Sequence, residues 1–70
     1  MKRLGEKVRT LRRRQKLTQT QLAQMLGVDQ SHIVKIEKGE RTPSLEILIK
    51  IAGIFNVTSD QLIMDDQDIN

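Results

Sequence analysis

Seventy residues with twelve Lys/Arg against nine Asp/Glu, a formal charge of +3, make one small domain with room for only a modest core. With no Cys and a single histidine, His32, neither a disulfide nor a Cys/His metal cluster can reinforce that core, which leaves tight helical packing or self-association. No stretch approaches the roughly 18 apolar residues of a membrane span, and MKRLGEKVRTLRRRQK contains no apolar segment of signal-peptide length, so no membrane partner and a reducing cytoplasm are expected.

Leu, Ile and Val carry the apolar content, Phe55 is the sole aromatic and Pro43 the sole proline, which together point to an all-α chain. Charge is unevenly spread. Lys2, Arg3, Lys7, Arg9, Arg12, Arg13, Arg14 and Lys16 crowd the first segment against one acid, Glu6, whereas nothing after Lys50 is basic and Asp60, Asp65, Asp66 and Asp68 close the chain. A basic domain attracts polyanions, of which nucleic acid is the commonest, although a charge run is equally well read as a solvated helix face.

Leu4, Val8 and Leu11 follow the i, i+4, i+7 rule of one buried stripe and predict a first helix over residues 2–15. Gly5 inside it costs about 1 kcal/mol relative to Ala, which suggests either close packing there or mere tolerance. Thr18 and Gln21 form a capping box that opens a second helix, with Leu22, Ala23 and Leu26 inward and Gly27 as its stop. Asp29 is the expected N-cap of a third helix, whose inner residues Ile33 and Ile36 sit beside Glu37 and whose end is Gly39 in a left-handed turn.

Thr42 and Pro43 read as N-cap and first turn of a fourth helix, with Leu45, Leu48, Ile51, Ala52 and Phe55 as its buried stripe. Thr58 to Gln61 repeat the capping box and start a last short helix with Leu62 and Ile63. The end, DDQDIN, has no pattern, resembles a natural terminus and is expected to fray, giving a domain over 1–64 and a disordered acidic tail over 65–70.

Only three or four residues separate the second and third helices, so the two meet steeply, as in a helix-turn-helix. With residues about 100° apart around the axis, an inward Ile33 turns Ile36 and Glu37 to the core. Ser31, Val34, Lys35 and Lys38 then face out, with Gln30 at the exposed amino end. Such a face suits the major groove: Gln pairs bidentately with adenine, Lys donates to guanine, and small or apolar side chains meet a thymine methyl.

The segment LRRRQKLTQTQLAQMLGVDQSHIVKIEKGERTPSLEILIKIAGIFNV resembles the Cro/repressor-type (XRE-like) helix-turn-helix family, which includes phage repressors, small bacterial regulators and several antitoxins. The likeness runs from about Leu4 to Leu62. It rests on a combination: Leu11 and Arg12, LTQ opening the second helix, LA and LG within it, the run from Ile33 to Gly39, then Pro43-Ser44-Leu45 and Ile51-Ala52. The resemblance implies a compact five-helix, lambda-repressor-like DNA-binding domain without catalytic activity or cofactor, acting in a bacterial or phage-derived nucleoid context.

By position, the resemblance implies that Gln30, Ser31 and Lys35 touch base edges with Val34 near a thymine methyl, while Gln19, Lys38, Arg41 and the backbone near Thr42 hold phosphates. It also pairs Glu37 with Arg12 in a salt bridge that serves architecture. Two positions depart from the family pattern. Glu40 stands where a basic residue is common, and His32 replaces a small hydroxyl residue. His32 either reaches a phosphate when protonated or is a partly exposed residue without a role.

Ile47 and Ile54, seven apart, share a face where small or polar residues are usual, and with Ile63 and Met64 they form either a homodimer interface or the edge of the core. A two-fold dimer would set two reading helices about 34 Å apart on a palindrome. Two functions remain: a sequence-specific regulator, acting as a repressor on double-stranded DNA, or an antitoxin-like module that binds a protein partner such as a toxin and regulates its own operon. Ser31 beside His32 lacks an orienting acid, the chain has no Gly-rich phosphate loop, and catalysis is not expected.

Overall fold

The backbone amides that open and close each helix show why the chain divides where it does. In the computed structural model, which describes residues 2–69, five helices follow in order: α1 Leu4–Arg14, α2 Gln19–Leu26, α3 Gln30–Lys38, α4 Leu45–Phe55 and α5 Ser59–Ile63. Thr18 and Thr58 each accept a hydrogen bond from the amide three residues on, while Gln21 and Gln61 reach back to their amides, so both capping boxes are complete. Gly27 and Gly39 end α2 and α3 in the left-handed conformation. Asp29 occupies the N-cap of α3, yet its side chain makes no capping bond.

One apolar cluster joins all the helices: Leu4, Val8 and Leu11 of α1, Leu22, Ala23 and Leu26 of α2, Ile33 and Ile36 of α3, Leu48, Ile51 and Phe55 of α4, and Leu62 of α5. Each of the Leu, Ile, Val and Phe side chains contributes about 1.5 to 3 kcal/mol on burial, which is what holds together helices too short to persist alone. Gly5 is required by this packing. A Cβ there would collide with the Ile36 carbonyl and lie 2.7 Å from the Glu37 carbonyl oxygen, so α1 touches the α3 backbone directly.

Three expectations need correction. The fourth helix starts later than Thr42 and Pro43 suggest, because the Ser44 hydroxyl caps the Ile47 amide at 3.3 Å; Pro43 is buried ahead of the helix instead of forming its first turn. Leu45 consequently heads the helix and is 67% exposed, outside the buried stripe. The acidic end, expected to fray, lies across the start of α1. The Asp65 carboxylate accepts from the amides of Lys2 at 3.1 Å and Arg3 at 3.0 Å, and Ile69 packs against the core. The bond from Arg3 above all, and then that from Lys2, holds the Asp65 carboxyl below its usual range against the opposing effect of burial.

Lys7 is the third correction. Placed by its sequence neighbours among solvated cations, it is 1% exposed. Its ammonium donates to the carbonyls of Gln61, Met64 and Gln67 at 2.6, 2.7 and 2.6 Å, so the three donors of the group meet three acceptors at and beyond the end of α5. A helix end with unpaired carbonyls is a natural partner for a cation.

Candidate nucleic-acid interface

α3 is oriented by its one inward acid. The Glu37 side chain is 0% exposed and is gripped by Arg12 of α1, with Nε to Oε2 at 2.6 Å and Nη2 to Oε1 at 3.0 Å. The remaining Arg12 nitrogen, Nη1, donates to the Leu17 carbonyl at 2.9 Å, which ties the same side chain to the segment leading into α2. Gln19 Nε2 donates to Oε1 at 3.3 Å and Arg9 Nε approaches it at 3.5 Å.

Burial pushes the Glu37 carboxyl up, but the Arg12 and Gln19 bonds, the Arg12 charge and the Arg9 bond together outweigh it and leave the carboxyl below the usual glutamate range. The bond to Glu37 in turn raises the Arg12 guanidinium against the opposing effect of desolvation. A buried pair of this kind adds little net stability, whereas removing one member costs several kcal/mol, so it acts as an alignment device.

The opposite face of α3 is open. Gln30, Ser31, Lys35 and Lys38 are exposed and Val34 is half-buried beside them, so the residues expected to meet DNA share one outward surface. Only Gly27, Val28 and Asp29 lie between α2 and α3; the Val28 amide donates to the Ala23 carbonyl at 3.0 Å and sets the bend. Arg41 and Thr42 are exposed just beyond α3, with Glu40 exposed next to them.

Two of the expected phosphate ligands are placed less freely. Gln19 uses one amide N–H on Glu37, which leaves its other N–H for an outside partner. His32 is half-buried, and its Nε2 is enclosed by the protein with no hydrogen-bond partner among the described residues.

On the far side, Ile47, Ile54 and Ile63 pack against the core as partly buried residues, and Met64 is 46% exposed. The larger exposed apolar side chains of α4 are Leu45 and Ile49, at 67% and 58%. Arg9 is the residue that reading the chain as a charge run overlooks: standing three before Arg12, it falls on the same side of α1 and reaches the same carboxylate. Among the described residues no group of three or more His, Cys, Asp or Glu could hold a metal ion, and no helix is long and apolar enough to cross a membrane.

Comparison with known proteins agrees with this geometry. The helix-turn-helix family model matches residues 8–62. An uncharacterized HTH-type transcriptional regulator of Archaeoglobus fulgidus is 39% identical over 64 residues, spanning 90% of this chain and 91% of that protein. The immunity repressor of Bacillus phage phi105 is 33% identical over 54 residues, which is 77% of this chain and 38% of the repressor. Among solved structures, the P22 c2 repressor in complex with a synthetic operator superimposes with a TM-score of 0.84 at 30% identity, covering 90% of this chain and 96% of that one. The chain belongs to the helix-turn-helix family of DNA-binding transcriptional regulators.

Proposed function

We propose that the protein is a sequence-specific repressor that reads a palindromic operator as a homodimer, with α3 in the major groove. The observation that carries this reading is the division of α3 into a locked inner face at Glu37 and an exposed outer face whose polar side chains make no hydrogen bond or ion pair among the described residues. Gln30, Ser31 and Lys35 read base edges, and Val34 meets a thymine methyl. Gln19, Lys38, Arg41 and Thr42 hold phosphates on the two flanks, with the half-buried His32 as a further contact. These contacts set register, while the first group sets sequence.

The P22 c2 repressor, solved on operator DNA, supports the docking mode. Ile47, Ile54, Ile63 and Met64 form the dimer contact, through the surface that they keep exposed. In the cell such a protein works in the cytoplasm on nucleoid DNA.

Selection of bound duplexes from a random pool at about physiological salt, where non-specific phosphate binding is weakened, tests the proposal. Enrichment of an inverted repeat with half-sites one helical turn apart is the expected result. A single enriched half-site would remove the dimer. A flat pool would remove sequence reading and shift attention to a protein partner, as for an antitoxin.

A further inference from the structure

Four helices of the chain end in the same way. The amide of Leu17 donates to the Arg12 carbonyl at 3.0 Å, that of Val28 to Ala23 at 3.0 Å, that of Glu40 to Lys35 at 2.9 Å and that of Val57 to Ala52 at 3.0 Å, closing α1, α2, α3 and α4 in turn. Each closure needs one residue in the left-handed region: Lys16 at φ +57°, Gly27 at +73°, Gly39 at +78° and Asn56 at +54°. Glycine meets no Cβ penalty there, and asparagine is the usual second choice. Lysine has neither advantage, so α1 alone ends on a strained residue among these four.

Local electrostatics give that lysine no reason to be there. A cation beyond a helix end interacts favourably with the last carbonyls, but Arg13 and Arg14 already stand in the last turn of α1 beside Arg12, whose charge Glu37 meets, so a further cation there gains little. No acid occurs in the sequence between Glu6 and Asp29. The Lys16 side chain is exposed and makes no ion pair or hydrogen bond among the described residues. It stands two residues before Thr18, the N-cap of α2, and three before Gln19.

Strain kept at an exposed, like-charged position points to a contact outside the chain. We infer that Lys16 is a further DNA-positioning residue, whose ammonium meets a backbone phosphate on the α2 flank of the groove, next to the one reached by Gln19. The inference rests on the DNA-binding reading above and deepens it: the footprint extends past the two central helices to the corner between α1 and α2. The contact carries affinity and salt dependence without sequence preference.

Lys16→Gly separates this role from a structural one, because it removes strain and charge together with opposite consequences. The expected result is a thermal midpoint a few degrees higher. Binding to a mixed-sequence duplex is several-fold weaker at low salt, and the slope of log K against log salt is shallower by about 0.9, the value of one phosphate contact. Lys16→Gln gives the same shallower slope with no gain in midpoint, and Lys16→Arg keeps the wild-type slope. An unchanged slope in both Lys16→Gly and Lys16→Gln overturns the assignment. A wild-type protein that binds no duplex at any salt overturns the DNA reading and this contact with it, a failure visible before any variant is made.

Discussion

The two faces of α3 use charge in opposite ways. Inside, Glu37 is held by Arg12, Gln19 and Arg9 and has no contact with water. Outside, Lys35, Lys38 and Gln30 are exposed on the surface. The buried set fixes how the helix is presented and the open set is free to bind. The same contrast separates Lys7, enclosed by three carbonyls, from Lys16, exposed nine residues later in the sequence. Basic residues close together in this chain therefore do unrelated jobs.

The largest expected effect breaks the inner face. Arg12→Met leaves Glu37 buried with its main partner gone and should destabilise the fold by about 3 to 5 kcal/mol in chemical denaturation, much of it recovered in the double variant Arg12→Met/Glu37→Met. An Arg12→Met protein of normal stability that no longer bound DNA would move Arg12 from architecture to the interface.

Gly5→Ala should come next, at about 1 to 3 kcal/mol, because its Cβ meets backbone of α3 that cannot move aside without turning that helix. Loss of DNA affinity beyond the loss of stability would show that the helix had turned.

Acid probes the same face without mutation. The Glu37 carboxyl is lowered in the folded state, so its contribution is fully present above the unfolded glutamate value and disappears as pH falls through the folded value. Stability measured by denaturant midpoint should decline below the ordinary glutamate range, and the decline attributable to this group should vanish in Glu37→Gln.

Smaller effects sharpen the outer face. Gln30→Ala should relax base preference by roughly 1 to 3 kcal/mol at one operator position, whereas Gln19→Ala should weaken all sequences alike. Because Gln19 also donates to Glu37, its variant should lose about 1 kcal/mol of stability as well, to be measured separately by denaturation. Equal losses on every duplex for both variants would erase the division between base and phosphate contacts.

The helix pattern is readable in the chain because it is local. Capping boxes at Thr18 and Thr58 and the glycine stops at 27 and 39 depend on neighbours within about one helical turn, which a linear reading sees whole. The outward placement of Gln30, Ser31 and Lys35 follows from the same periodicity. Leu45 escaped that logic: the stripe of α4 is correct from Leu48 onward, but periodicity does not say how far toward its amino end a helix remains covered by others.

Sequence alone thus determined the number and kind of elements, the helix-turn-helix and the face it offers, since each depends on propensity and spacing. Only the tertiary structure decided which cations are spent inside the protein and where the acidic end goes. Lys7 meets acceptors 54 to 60 residues away, and Asp65 meets amides 62 and 63 residues away. Contacts at that separation exist only once the core has brought the two ends of the chain together, and desolvation at the junction then makes an unpaired charge costly enough to select its partner.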